Sequence, residues 1–143
     1  MKKIKNTMKT QFLSLSENEA FSRMVIMAFI SRTDISAEDM ADIKTMVSEA
    51  VTNCIVHAYK NGEGKITMEA RLYEDMELVI KIKDSGCGIA DAKKAMEPFY
   101  TTDALGERCG MGFCIMKSFS DKFSIKTAMG RGTTVTMRKK LLK

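Results

Sequence analysis

Hydrophobic residues recur with a helical period in two early segments of this 143-residue chain. Ser16 and Glu19 form an S-x-x-E capping box, a pattern that opens many helices. The apolar face expected for that helix consists of Phe21, Met24, Val25, Ala28 and Phe29. Ser36 and Asp39 are predicted to cap a second, longer helix that ends before Gly62. Its apolar stripe comprises Met40, Ile43, Val47, Ala50, Val51, Cys54 and Ile55.

The rest of the chain is dominated by alternation of apolar and polar residues, which predicts strands. The predicted strands cover residues 10–15, 65–72, 77–83, 123–128 and 133–138. The first is expected at a sheet edge, and the other four are expected to form two hairpins. Short helices are predicted near residues 91–96 and over residues 111–119. The pattern therefore indicates one α+β domain over residues 1–143, a two-layer sandwich with helices on one face of a mostly antiparallel mixed sheet.

Composition narrows the class of protein. With 45% hydrophobic and 29% charged residues, the chain resembles ordinary soluble globular proteins. No apolar run reaches the roughly 18–20 residues of a membrane span, and the opening MKKIKNTMKTQF lacks the apolar centre of a signal peptide. The four cysteines form no C-x-x-C pair, which argues against structural zinc and favours a reducing compartment. A cytoplasmic protein without a membrane partner is expected.

The charge pattern gives weak support for nucleic-acid binding. The formal net charge is +5, which is modest for a chain of this length. Basic residues are spread along the sequence and become dense only in the terminal RKKLLK. That segment is better interpreted as a solvated end.

Polar residues beside the stripe of the second helix are candidates for chemistry. Glu49, Asn53 and His57 follow one another at i,i+4 spacing and so line one side of the helix. An amide oxygen such as that of Asn53 suits Mg²⁺, and Glu49 can accept a proton from an attacking hydroxyl. The same spacing also fits an ordinary solvated helix face. His57 is expected to pack or cap, because no partner ligand is visible.

A first glycine cluster, KDSGCGIADA, spans residues 83–92. It places the carboxylate of Asp84 just ahead of Gly86 and Gly88. Residues without side chains let a ligand lie against the main chain, with one acid available to bind it. Cys87 is interpreted as a bystander, since no second cysteine lies within twenty residues of it.

A second glycine cluster, GERCGMGFCIM, spans residues 106–116. Gly110 and Gly112 stand where a loop turns into a helix, an arrangement that exposes N–H groups to a phosphate. Residues 97–108 before it lack a regular pattern, as functional lids often do. Arg108 in this segment is placed to reach a terminal phosphate. A G-x-G pair also fits an ordinary turn, and Arg108 a solvated surface.

The order of these segments resembles the Bergerat-type ATP-binding fold of the GHKL superfamily, which includes histidine kinases and DNA gyrase. Within that superfamily the small bacterial anti-sigma factor kinases are the most similar. The segments that carry this resemblance, which extends over nearly the whole chain, are SEAVTNCIVHAY, DSGCGI, EPFYTT and GMGFCIM.

The resemblance implies ATP and Mg²⁺ as cofactors. It assigns Asn53 to the magnesium ion and Glu49 to the role of general base toward a substrate serine. It also implies that Asp84 accepts a hydrogen bond from the adenine amino group, while Gly86 and Gly88 let the loop pass close to the base. Residues 100–109 correspond to an ATP lid. The further nucleotide contacts that it implies are Thr101, Thr102, Arg108, Gly110, Met111, Gly112 and Thr133.

The resemblance further implies a homodimer that binds a sporulation sigma factor and phosphorylates an anti-anti-sigma protein on serine, without direct nucleic-acid contact. In such proteins the first helix faces partners. Glu19 and Arg23, at i,i+4 on that helix, form either a partner contact or an intrahelical ion pair. Two alternative functions stay open: a non-catalytic ATP-sensing protein-binding module, and a nucleic-acid-binding protein.

Overall fold

The computed structural model describes residues 2–59, 62–89 and 112–141. Five strands lie within these ranges: β1 Ile4–Leu13, β2 Lys65–Tyr73, β3 Glu77–Asp84, β4 Lys122–Ala128 and β5 Gly132–Lys140. The same ranges contain three α-helices: α1 Asn18–Ile30, α2 Ala37–Asn53 and α3 Gly112–Phe119. A π-helical turn, Cys54–Ala58, continues α2. The helix predicted at residues 91–96 lies outside the described residues.

The described strands form one sheet in the order β1-β2-β3-β5-β4, and every neighbouring pair is antiparallel. Both predicted hairpins are confirmed, as is the position of β1 at the edge. β1 begins at Ile4, well before the predicted start at Thr10. Its first residues are exposed and show little apolar alternation. They are held in the strand by main-chain pairing with β2, where Ile4 lies opposite Tyr73.

The hydrophobic core lies between the sheet and the helices, as the two-layer α+β prediction required. Alternate residues of β2 and β3, such as Met68 and Ile82, point into it and are almost fully buried. From α2 the core receives Ile43, Met46 and Val47, all fully buried. The predicted α2 stripe is thus largely confirmed.

The predicted apolar face of α1 is confirmed only in part: Val25 and Phe29 pack against the core, but the other members are exposed. Phe21 is 43% exposed and Met24 is 72% exposed, whereas Ser22, Ile26 and Ile30 are buried. Burial of the Ser22 hydroxyl is tolerated because it donates a hydrogen bond to the Glu19 carbonyl at 2.6 Å. The helix is therefore turned so that the 22/26/30 row meets α2 and the sheet.

The two predicted helix caps have opposite outcomes. At α2 the Ser36 hydroxyl accepts a hydrogen bond from the Asp39 N–H at 3.0 Å, as predicted. The capping box of α1 is wrong, because the residue before the helix is Glu17 and it makes no side-chain cap. The Glu19 carboxylate instead accepts hydrogen bonds from Arg23 and from Ser48 of α2. It joins two helices rather than closing the end of one.

No helix in the part of the chain that the structure describes is long and apolar enough to cross a membrane.

Candidate functional site

Glu49 and Asn53 of α2 converge on the first residue of α3, Gly112. A Cβ atom added to Gly112 would lie 3.0 Å from Asn53 Nδ2 and 3.1 Å from Asn53 Oδ1. The same atom would lie 3.2 Å from Glu49 Oε2. The space between the amide, the carboxylate and the start of α3 therefore depends on glycine at position 112. The structure thus brings Gly112 to two predicted site residues that lie far from it in sequence.

Asp84 ends β3 and is only 5% exposed. Its Oδ1 accepts hydrogen bonds from the N–H groups of Gly86, at 3.0 Å, and Thr133, at 3.2 Å. Its Oδ2 accepts one from the thiol of Cys54 at 3.5 Å. Oδ1 has therefore received two donors, whereas Oδ2 keeps capacity for a second.

The electrostatics around Asp84 reflect its burial. Desolvation raises the pKa of the Asp84 carboxyl, and its hydrogen bonds, the one from Gly86 foremost, act in the opposite direction. Desolvation also raises the pKa of the Cys54 thiol well above its ordinary value, and the charge of Asp84 adds to that effect. Cys54 is consequently a protonated donor toward this carboxylate at neutral pH.

The glycines of the loop after β3 are required by the chain itself. A Cβ atom at Gly86 would lie 2.3 Å from the Ala58 carbonyl oxygen. Gly88 has a φ of +80°, and a Cβ atom there would lie 2.5 Å from the Ala128 carbonyl oxygen. These close approaches hold the loop between the π-helical turn and the β4–β5 turn. Contact of Gly86 and Gly88 with an adenine stays a prediction.

Thr133 lies beside Asp84 in a small hydrogen-bonded group. In addition to its main-chain bond to Asp84, its hydroxyl lies 2.9 Å from that of Thr127. The Thr127 hydroxyl also accepts a hydrogen bond from the Ile89 N–H at 2.9 Å. The group joins the glycine loop to the last hairpin. Contact of Thr133 with the nucleotide stays a prediction.

Gly132, the residue before Thr133, provides a test of how tightly the chain is packed around Asp84. Gly132 has a φ of +112°, and a Cβ atom there would lie 2.1 Å from the Asp84 carbonyl oxygen. Gly130 also has a positive φ, +77°, but no atom of the described residues lies within 4 Å of such a Cβ. We expect Gly132→Ala to lower the free energy of unfolding by about 2 kcal/mol more than Gly130→Ala, because only the former adds an overlap to the backbone strain.

Urea denaturation of the two variants measures this difference. Equal losses of stability would show that the backbone around Asp84 and Gly132 can move to accept a Cβ atom without a cost in free energy.

Two contributors to the site were missed from the sequence. Cys54 was assigned to the apolar stripe, yet its thiol meets Asp84. The Tyr59 hydroxyl accepts a hydrogen bond from the Ser85 N–H and donates one to the Lys65 carbonyl, and so holds the start of the glycine loop. Neither contact has a local sequence signal, because each joins segments that only the fold brings together.

His57 lies on the π-helical turn, so the i,i+4 line through Glu49 and Asn53 does not continue to it. Hydrogen bonds in a π-helix run from i to i+5, which changes the spacing of side chains. The main-chain carbonyl of His57 lies 3.4 Å from the Cys87 sulfur. The predicted nucleotide contacts Thr101, Thr102, Arg108, Gly110 and Met111 lie outside the described residues.

Comparison with known proteins agrees with this architecture. The crystal structure of the RsbU and RsbW domains of a Mycobacterium tuberculosis protein superposes with a TM-score of 0.69 and 18% identity, covering 95% of this chain and 32% of that one. That likeness concerns the fold. The family model of the histidine kinase-like ATPase domain matches residues 13–139. The chain is therefore a histidine kinase-like ATPase domain.

Anti-sigma F factors from Caldanaerobacter subterraneus and Clostridium acetobutylicum are 48% and 45% identical to it. The chain belongs to the anti-sigma F factor family. The two alignments cover 94% and 96% of this chain, and 93% and 95% of the respective relatives. The family predicted from the sequence motifs is confirmed.

Proposed function

We propose that this chain is an ATP- and Mg²⁺-dependent protein serine kinase that also binds a sporulation sigma factor and keeps it from RNA polymerase. Its substrate is an anti-anti-sigma protein, and it works as a cytoplasmic homodimer. The observation that carries the proposal is the convergence of Glu49 and Asn53 on Gly112 at the start of α3. The printed names of the relatives support the sigma-factor part.

The residues around Gly112 suit a nucleotide with its metal ion. The N-terminus of a helix offers free N–H groups to phosphate, and the missing side chain at Gly112 leaves room beside the Asn53 amide. Asn53 supplies a neutral oxygen of the kind Mg²⁺ prefers. When bound, the ion neutralises charge that develops on the phosphates.

Glu49 is placed for proton transfer. It precedes Asn53 by one helical turn, and its Oε2 lies on the same side of Gly112 as the Asn53 amide. A serine hydroxyl is a weak nucleophile, so a carboxylate beside the metal ligand can orient it and take its proton. No corresponding role is assigned to His57, which lies beyond the change to π-helical spacing.

Asp84 is the proposed acceptor for the adenine amino group. In Asp84→Asn the amide oxygen is expected to take the Oδ1 position, because the Gly86 and Thr133 N–H groups require an acceptor there. The amide NH₂ then faces the adenine amino group, donor against donor. We expect ATP affinity to fall roughly ten- to a hundredfold, the scale of a lost charge-assisted hydrogen bond with a mismatched donor. Calorimetric titration measures it, and wild-type affinity would remove Asp84 from the site.

The first helix is the proposed partner surface. Glu19 and Arg23 form an i,i+4 ion pair, with the Arg23 Nη2 3.0 Å from Glu19 Oε2, so the intrahelical interpretation of this pair is confirmed. A partner contact by the same residues remains our proposal. The exposed Phe21 and Met24 on the same helix offer apolar area to such a partner.

The deciding experiment combines the purified chain, γ-labelled ATP, Mg²⁺ and the anti-anti-sigma protein of the native cell. Transfer of label to a serine of that protein is expected, together with formation of a complex with the sigma factor. ATP binding and sigma-factor binding without transfer would instead make the chain an ATP-sensing binding module. Failure to bind ATP would contradict both functions.

A further inference from the structure

We propose that Cys54 is a positioning residue for base recognition: its thiol holds Asp84 so that Oδ2 faces the amino group of the nucleotide base. The inference rests on the proposed function, because it assumes that Asp84 receives the adenine amino group. It adds a residue whose side chain does not itself contact the nucleotide. It also assigns different tasks to the two oxygens of one carboxylate.

The hydrogen bonds around Asp84 separate these tasks. Oδ1 is occupied by two main-chain donors, Gly86 N–H and Thr133 N–H. Among the residues that the structure describes, Oδ2 receives the Cys54 thiol alone, at 3.5 Å, which keeps an acceptor direction for a ligand. With donors on both oxygens the carboxylate plane is fixed, so the ligand does not have to order it on binding.

The environment makes the thiol a donor. Cys54 and Asp84 are each only 5% exposed, so water does not compete strongly for either group. A buried thiol next to a carboxylate has no better partner than that carboxylate, and the S–H group is directed accordingly.

Cys54 also connects the proposed metal ligand, Asn53, to the proposed base-recognition carboxylate, Asp84. Cys54 follows Asn53 directly and opens the π-helical turn. The Asn53 side chain faces Gly112, whereas the Cys54 side chain meets Asp84. Two adjacent residues of one helix thus fix the proposed metal ligand and the proposed base-recognition carboxylate relative to each other.

The test measures the affinity of two nucleotides for three forms of the chain: wild type, Cys54→Ala and Cys54→Ser. The nucleotides are ATP and purine riboside triphosphate, which lacks the 6-amino group. We expect Cys54→Ala to weaken ATP about fivefold, the scale of one hydrogen bond, and to leave the analogue unchanged. Cys54→Ser keeps a donor and is expected to retain most of the preference for ATP.

Val51→Ala is the matched control. Val51 is fully buried one turn earlier on the same helix, and its truncation leaves a cavity without removing a hydrogen bond. It is expected to lower stability and leave the ratio of the two affinities at the wild-type value. If Cys54→Ala leaves the ratio of the ATP and analogue affinities at the wild-type value, whether or not both affinities fall, the positioning role is overturned.

A wild-type chain that binds ATP but does not prefer it to the analogue would instead show that Asp84 does not bind the amino group. That result contradicts the adenine assignment in the proposed function, and the role of Cys54 falls with it. Absence of ATP binding in the wild type would contradict the proposed function as a whole. The three failures are thus distinguishable.

Discussion

Glu49→Gln is expected to slow phosphoryl transfer to the protein substrate at least ~100-fold, the usual scale for a lost general base. The amide keeps the length of the side chain and its place beside Gly112, but it cannot accept the serine proton. Binding of Mg-ATP and of the sigma factor is expected to stay near the wild-type level. Phosphoryl transfer depends mainly on positioning and charge neutralisation, so measurable residual transfer should persist. A single-turnover assay with radiolabelled ATP, run beside an ATP titration, measures both quantities.

Glu38→Gln is the control for that variant, because it makes the same chemical change on an exposed residue in the first turn of the same helix. It is expected to transfer phosphate at the wild-type rate. Full-speed transfer by Glu49→Gln would rule out the assignment of the base. A parallel loss of ATP binding would make Glu49 a nucleotide ligand, and another base would have to be sought.

Asn53→Ala is expected to lose the Mg²⁺ dependence of ATP binding, with ATP affinity in Mg²⁺ falling ~100-fold or more. Changes to residues that only support metal ligands already cost about 10–100-fold, so loss of a direct ligand belongs at the upper end. Affinity for ATP without Mg²⁺ should change little, since Asp84 and the loop after β3 are untouched. Titrations with ATP in the presence of Mg²⁺ or of a chelator separate the Mg²⁺-dependent affinity from the affinity for ATP alone.

Thr52→Ala serves as the matched control for Asn53→Ala. The Thr52 hydroxyl bonds within the helix, to the Ser48 carbonyl at 2.7 Å, and its truncation perturbs the same turn. Mg²⁺-dependent affinity should be retained in this variant. If Asn53→Ala keeps full Mg²⁺ dependence, the metal ion has other ligands and Asn53 only packs against Gly112.

The sequence predicted the core of the candidate site because part of its geometry is local. Residues four apart on a helix share a side, so Glu49 and Asn53 could be paired before any fold was known. Their meeting with Gly112 was expected only through the family resemblance, since about sixty residues separate them along the chain. The structure brings them together, while their roles toward ATP remain predictions for the variants above.

Two errors in the sequence-based predictions concern side chains whose surroundings are set by neighbouring elements. On α1 an apolar row through Phe21 and Met24 competed with a row through Ile26 and Ile30, and burial followed the second. Periodicity alone could not separate the two rows, because both have helical spacing. Glu19 likewise fitted a capping box, but its carboxylate accepts hydrogen bonds from Arg23 and Ser48 instead.

The sequence by itself determined which of the described segments are helices and which are strands, both hairpins, the family and the order of the candidate site segments. These properties depend on hydrophobic period, glycine spacing and short motifs, which are local in the chain. Only the tertiary structure decided which face of α1 is buried, why Gly86 and Gly132 lack side chains, and that Cys54 bonds to Asp84. Those contacts join residues more than twenty positions apart, and their free energy depends on atoms that meet only after the sheet and helices have packed.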